Sequence, residues 1–175
     1  MVTISGGDKF EAALKSIATS LGSAKVLRVG FLEDATYPAG KVKALRTAYK
    51  ARKKAKIEGA VTGALYGTSV AMVAAIQNYG APKAGIPPRP FFSNMIADKS
   101  PEWPAAIGKQ LVRNNYDADK TLRIVGEAIR GQLQKSIRDT DTPPLKQATI
   151  DRKGFSKPLI DTAHMINSVD YDITS

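Results

Sequence analysis

Apolar side chains recur every three or four residues in four stretches of the chain, which is the spacing of one helix face. The clearest stretch begins after Asp117 and continues to about Arg138, with the stripe Leu122, Val125, Ile129, Leu133 and Ile137. Capping and terminating residues delimit the other three stretches. These signals predict helices from Asp8 to Gly22, from Thr68 or Ser69 to Gly80, and from Ser100 to Asn114.

Two other stretches alternate between apolar and polar residues, which is the pattern of a half-buried strand. Leu27, Val29 and Phe31 alternate within residues 25–32, and Val169, Tyr171 and Ile173 alternate close to the end of the chain. Residues 61–66 are a possible further short strand, which would make the stretch before them an arm between two strands. Few strands and many helices predict an α+β fold, a small antiparallel sheet packed against several helices in a single domain over 1–175.

Between the predicted helices lie segments that cannot continue a helix. Residues 81–90 contain four prolines, and the stretch Pro87–Pro90 is predicted to be extended and stiff. Phe91 and Phe92 follow at once, and we expect them to dock this segment on the core. Residues 139–144 predict a turn-rich break and 145–160 an irregular stretch. Asp161 or Thr162 is expected to cap a short helical turn through Met165 and Ile166.

Positive charge is concentrated in one segment. The 175 residues include 26 Lys and Arg against 16 Asp and Glu, a net charge of +10. Eight of these bases, and no acid, lie between residues 41 and 56: Lys41, Lys43, Arg46, Lys50, Arg52, Lys53, Lys54 and Lys56. We interpret residues 40–58 as a basic arm, extended or helical. It would contact DNA or an acidic protein surface, or it would be a solvated face that aids solubility.

Residues suited to catalysis or metal binding are few. The chain contains no cysteine, so disulfides, thiolate catalysis and zinc–thiolate sites are excluded. His164 is the single histidine; Asp161 could orient it as a base, but a local contact at a helix start is the expected role. Asp139 and Asp141 lie in a turn, where such carboxylates usually cap backbone groups. We therefore expect no enzyme, no cofactor and no metal site.

The location of the protein in a cell is constrained weakly by the same sequence. No run approaches the roughly 20 apolar residues that cross a bilayer, so no membrane partner is expected. The first residues lack a basic stretch followed by an apolar one, so a secretory leader is not expected either.

Arg89 stands between prolines, and the stiff backbone would hold the stem of its side chain in place. Two interpretations remain open. The guanidinium makes a fixed salt bridge across a protein interface, or the stem simply packs on Phe91.

The strings VAAIQNYG over residues 73–80 and IPPRPFF over 86–92 resemble an element of tailed-phage neck and tail-completion proteins. A second block, KPLIDTAHM over 157–165 followed by Ser168 and Val169, is similar to the ending of the same family. The resemblance covers roughly residues 65–173. One departure is Ala163, which stands where the family usually has glycine; if that position needs a positive φ, alanine is strained there.

The resemblance implies a virion structural protein at the junction of head and tail, of the neck, collar or tail-terminator type. It would be assembled in the host cytoplasm and would form a homo-oligomeric ring, of six copies or else twelve. Its partners would be the portal or connector and the tail tube or sheath proteins, with transient DNA contact in the lumen. Arg89, Phe91, Phe92 and the basic arm are then the expected interface residues. The alternative is a nucleic-acid-binding module that uses residues 41–56.

Overall fold

The chain has an α+β fold in a computed structural model that describes residues 7–22, 25–32, 35 and 69–174. The elements in this part of the chain are α1 (Gly7–Leu21), β1 (Val26–Phe31), α2 (Val70–Tyr79), α3 (Phe91–Lys99), α4 (Trp103–Arg113), α5 (Ala118–Asp139), α6 (Gln147–Lys153), α7 (His164–Asn167) and β2 (Val169–Thr174). Short 3₁₀ turns lie at Pro82–Ala84 and Ser100–Glu102. The strand predicted at 61–66 and the basic arm lie outside the described residues.

Side-chain caps fix two of the helix starts that the sequence predicts. The Ser69 side chain accepts a hydrogen bond from the backbone nitrogen of Met72 at the start of α2, at 3.3 Å. Asp117 accepts one from the backbone nitrogen of Lys120 at the start of α5, at 2.9 Å. Each cap satisfies an amide that has no partner within its own helix. Gly80 ends α2 with a positive φ of 77°, so these predicted boundaries are confirmed.

The two predicted strands pair with each other. β1 and β2 are antiparallel, with Val26 opposite Thr174 and Phe31 opposite Val169. α5 lies against both strands and comes very close to them at Gly126, where a Cβ atom would be 2.7 Å from Cδ2 of Tyr171. Glycine therefore sets the spacing between the long helix and the sheet.

The core is built from residues that are distant in the sequence. One cluster of buried side chains joins α2, α3, α5, the loop before α7, α7 itself and β2: Val70, Ala74, Phe91, Met95, Leu133, Ile137, Leu159, Met165, Ile166 and Val169. Phe31 of β1 packs edge-on against Phe91, with ring centroids 6.4 Å apart. None of the described helices is both long and apolar enough to cross a bilayer.

Phe91 and Phe92 dock on the core as predicted, and they also begin α3, a helix that the sequence pattern did not predict. Three local predictions are wrong. The helix predicted from Ser100 does not begin there, because Ser100–Glu102 is a 3₁₀ turn and α4 begins at Trp103 without a side-chain cap. Residues 145–160 are not wholly irregular, because they include α6, which ends at Gly154 with a φ of 82°. The short turn through Ile166 is confirmed as α7, but Ala163 precedes it, and neither Asp161 nor Thr162 is its N-cap.

Candidate interaction surface around residues 77–92

Arg89 is an internal tie between two parts of the fold. Its side chain is 5% exposed. Nε donates a hydrogen bond to the carbonyl oxygen of Pro143 at 2.9 Å, and Nη2 donates to that of Pro144 at 3.4 Å. Nη1 donates to Oε1 of Gln77 at 3.3 Å, and the backbone nitrogen of Arg89 donates to the Gln77 carbonyl at 2.8 Å. Desolvation by burial lowers the pKa of Arg89 from its usual value.

These contacts correct the role that the sequence suggested for Arg89. A guanidinium whose donors reach acceptors inside its own chain, and which solvent barely touches, is not an exposed interface cation. Phe91 is likewise 1% exposed and belongs to the core. Both residues shape the surface from within, whereas Phe92 is half-buried and remains beside an open groove.

Asn78 caps a helix that begins thirteen residues further along the chain. Its Oδ1 atom accepts hydrogen bonds from the backbone nitrogens of Phe92 at 3.0 Å and Ser93 at 3.2 Å, and its Nδ2 atom donates to Oγ of Ser93 at 2.8 Å. The amides of the second and third residues of α3 therefore find their acceptor on α2, whereas the amide of Phe91 donates to the carbonyl oxygen of Arg89. Asn78 is 4% exposed, and both polar atoms of its side-chain amide have hydrogen-bond partners.

Gly80 allows the chain to turn back immediately after α2. A Cβ atom at this position would lie 2.8 Å from the backbone nitrogen of Pro88 and 3.0 Å from the carbonyl oxygen of Ile86. Ala81 and Ile86 exchange two backbone hydrogen bonds, which closes the turn. In the first block of the resemblance, Gly80 allows the turn, Arg89 binds the block to the loop after α5, and Asn78 caps α3.

Lys153 organises the second block in a similar way. Its ammonium group donates to the carbonyl oxygens of Lys157, at 2.6 Å, and Ile160, and it lies 4.6 Å from the centre of the Phe155 ring. Desolvation lowers the pKa of Lys153, and the nearby Asp161 carboxylate opposes that shift. The loop between α6 and α7 is therefore wrapped around one cation.

Ala163 has a φ of 57° and a ψ of 5°, which is left-handed backbone. The resemblance raised the question of whether this position needs a positive φ. It does have a positive φ, although the residue is alanine and not glycine. A non-glycine residue there costs about 1–2 kcal/mol relative to an unstrained backbone.

A groove of about 690 Å³ lies between β1 and α2. Residues 28–32 of β1 and the following loop form one side, and small side chains of α2 form the other: Ala71, Ala74, Ala75 and Asn78. The rings of Phe91 and Phe92 also line it, and Tyr79 stands at its rim with 73% of its surface exposed. Sequence reasoning did not find this groove, although the small residues of α2 recur at helical spacing.

The candidate catalytic residues lie at the start of α7 and in the loops before it. His164 begins α7 and is half-buried, while Asp161 is exposed in the loop before it. Asp139 pairs with Lys135, and this hydrogen bond lowers the pKa of the Asp139 carboxyl. Asp141 pairs with a different lysine, Lys157, at 2.5 Å. Within the described residues, no three His, Asp or Glu side chains form a group suited to a metal ion.

Comparisons of the chain with protein-family models, with curated proteins and with solved structures found no match. The eight bases expected to form an interface in the basic arm lie outside the described residues. What the described part of the chain offers is a braced scaffold with an open apolar groove on one side.

Proposed function

We propose that this chain is a virion structural protein of the head–tail junction. It would join the portal or connector complex to the tail as a neck, collar or tail-completion ring. One observation carries the proposal: the two blocks that resemble such proteins, whose facing ends Phe92 and Lys157 are 65 positions apart in the sequence, pack into a single core. Val70, Ala74 and Phe91 lie near or in the first block, and Leu159, Met165 and Val169 in the second.

This shared core supports the proposal for a physical reason. A chance likeness between two short strings would not require those strings to meet in space. Here Arg89 of the first block reaches the loop at Pro143 and Pro144, which leads into the second, while Phe91 packs within the same cluster as Met165. The resemblance therefore falls on residues that cooperate in one folded unit.

Uncovered apolar surface also favours a role in assembly. Met72, Tyr79 and Val112 are each more than half exposed. Such side chains are available for contacts with other proteins when they form a contiguous patch. From the resemblance, we propose as partners further copies of the chain, the portal or connector, and the proteins of the tail tube or sheath, with the virion as its location.

The test is assembly with and without the chain. In a phage that carries this gene, disrupting it should leave filled heads and separate tails, and adding the purified protein to that mixture should restore joined, infectious particles. A matched addition of heat-unfolded protein should restore nothing. Fully infectious particles in the absence of the chain would refute the proposal.

A nucleic-acid-binding module remains the second candidate, because eight bases without an acid lie within residues 41–56. This function predicts a DNA affinity whose logarithm falls with the logarithm of salt concentration by roughly one unit for each phosphate contact. Changing four of the eight bases to glutamine should flatten the slope. If no DNA binding is detected at moderate salt, the second candidate is excluded.

A further inference from the structure

The turn between α4 and α5 holds two consecutive residues other than glycine in left-handed backbone. Asn115 has a φ of 52° and Tyr116 has a φ of 62°. Residues with a side chain are strained in this region, and a bulky residue such as tyrosine is rarely found there. Residues 113–118 contain neither glycine nor proline, so their sequence is compatible with a helix. The strain therefore comes from the reversal of direction and not from a residue that a helix excludes.

α4 and α5 lie antiparallel on the two sides of this turn. Nε1 of Trp103, at the start of α4, donates a hydrogen bond to Oε1 of Gln132, 29 residues further along, at 3.0 Å. At the turn itself, Nδ2 of Asn114 donates to Oγ1 of Thr121 at 3.1 Å, and Thr121 is 1% exposed. This second bond requires the turn, because residues seven positions apart in a straight helix are separated by about 10 Å along its axis. It opposes the strain of the two left-handed residues.

A straight conformation of the turn would join α4 and α5 into one helix. Asn115 and Tyr116 would then take ordinary helical backbone, which removes their strain. The first amides of α5, one of which is capped by the side chain of Asp117, would donate to carbonyl oxygens of the preceding helical turn instead. The amides of Asn115 and Tyr116 would likewise exchange their acceptors in the turn for helical ones. Backbone hydrogen bonding therefore does not oppose the straight form.

The parts of the fold that meet across this turn can meet equally well between two copies. β1 precedes the turn and β2 follows it, and the two strands pair along their full length. Phe91 and Met95, before the turn, share one buried cluster with Leu133 and Ile137 after it. Exchange of identical parts between two copies keeps each of these contacts and changes the turn alone. The balance between the closed and the exchanged form is therefore set by the turn and by the concentration of the chain.

We propose that residues 114–117 are a hinge through which the chain exchanges parts with a second copy of itself. In the exchanged dimer, α4 and α5 of each copy form one helix. The part that carries β1, α2 and α3 packs against α5 and β2 of the other copy. Short connections under strain favour such an exchange. The exchange does not depend on the proposed function, because it requires only two copies of the chain.

A cross-strand disulfide reports which copy supplies each strand. Val26 and Thr174 are opposite each other in the paired strands, and the chain has no cysteine of its own. A chain with Val26→Cys and Thr174→Cys is refolded from urea at high protein concentration, oxidised, and run on a denaturing gel without reductant. Exchanged dimers should give two chains joined covalently, whereas closed monomers should give single chains with an internal disulfide. As a control, oxidation of the monomer before refolding ties its two parts together and should abolish the dimer.

Substitutions at one position of the hinge should shift the equilibrium in opposite directions. Asn115→Gly fits the left-handed turn and disfavours the helix, so it should raise the dissociation constant of the dimer about tenfold. Asn115→Ala is more strained in the turn and favours the helix, so it should lower that constant about tenfold. Ala128→Gly, inside α5 in both forms, is the control and should change the constant by less than about twofold.

Dimers that run as single chains on the gel, in Asn115→Ala as in the unaltered hinge, would overturn the proposal, because no strand would have been exchanged. So would a dimer that still forms after the disulfide has been closed in the monomer. Equal dissociation constants for Asn115→Gly and Asn115→Ala, or a chain that stays monomeric in every variant, would also contradict the hinge. The head–tail function is tested by infectivity and stands or falls separately.

Discussion

Nε of Arg89 lies 2.9 Å from the carbonyl oxygen of Pro143, on the far side of a loop that follows the longest helix. The acceptors around this guanidinium are two backbone carbonyls and one side-chain amide. A buried cation is thus held by oriented dipoles, and its fork of donors joins the end of α2 to the end of α5.

Removing this tie should destabilise the fold. Arg89→Ala leaves the carbonyls of Pro143 and Pro144 without their donor, and we expect the free energy of unfolding to fall by about 2–4 kcal/mol. Arg89→Lys should recover only part of the loss, because one ammonium group cannot reach three acceptors in a plane. Urea denaturation measures the change. Arg123→Ala, at an exposed position of α5, is the control and should stay within about 0.5 kcal/mol of the unaltered protein.

Equal free energies of unfolding for Arg89→Ala and Arg123→Ala would show that the contacts of Arg89 do not stabilise the fold. An interface role would instead leave the stability of the single chain unchanged and weaken only its assembly.

Two glycines in α5 should respond to alanine in opposite ways. At Gly131 nothing lies within 4 Å of an added Cβ, so Gly131→Ala should stabilise the protein by about 0.5–1 kcal/mol through helix propensity. At Gly126 the same Cβ would lie 2.7 Å from the Tyr171 ring, so Gly126→Ala should destabilise by about 1–2 kcal/mol. Thermal unfolding of the two variants in parallel checks the difference in sign. Stabilisation by both substitutions would mean that α5 does not approach the sheet as described.

Strain at Ala163 can be relieved. Ala163→Gly removes the cost of the left-handed backbone, about 1–2 kcal/mol. It also increases the conformational entropy of the unfolded chain, which lowers stability by about 0.4–1 kcal/mol. We therefore expect the free energy of unfolding to rise by about 0.5–1 kcal/mol. The matched substitution Ala128→Gly, at an exposed position inside α5, should lose about 1 kcal/mol. Chemical denaturation distinguishes the two. A loss at both positions would contradict the positive φ of Ala163.

The environment of Lys153 predicts a particular dependence on pH. Desolvation lowers its folded-state pKa, so the folded protein loses this proton before the unfolded chain does. Between the lowered pKa and the unfolded value of about 10.4, the unfolded state binds more protons, and stability gains from rising pH. At a pH below the lowered pKa, Lys153 is charged in both the folded and the unfolded protein, so its desolvation destabilises the folded state in full.

Lys153→Met isolates this contribution. At pH 7.5 the variant should lose about 1–3 kcal/mol, because the loop carbonyls lose a charged donor. At pH 10.5 the unaltered protein should exceed the variant by a larger margin than at pH 7.5. Lys109→Met, at an exposed position of α4, is the matched control for the loss of one lysine. A margin that shrinks with rising pH would mean that the bound ammonium charge is favoured by folding.

How much of the fold the sequence predicts depends on how far apart the deciding residues are. The caps Ser69 and Asp117 bind amides three residues further along, and the alternation in β1 and β2 involves consecutive residues. Both signals are local, so they can be recognised in the sequence. The start of α3 is fixed by Asn78, fourteen residues before Phe92, and the role of Arg89 by a carbonyl fifty-four residues later. Such partners are set by tertiary packing, so local spacing cannot indicate them.

The candidate surface was predictable to a similar extent. The string around Arg89 indicated a segment that lies beside the groove, because prolines and adjacent aromatic residues are recognisable wherever they pack. It did not reveal which side chains point inward: Arg89 and Phe91 are buried, whereas Phe92 is half-buried beside the groove. Burial of a cation by uncharged acceptors leaves no signal in the sequence, since none of those acceptors is an acidic residue.

Locating the chain in the intact particle tests the central claim most directly. Electron microscopy of virions in which the chain carries a visible tag should place a ring of copies between the portal and the first ring of the tail. Particles that lack the chain altogether, or that carry it elsewhere, would contradict the account.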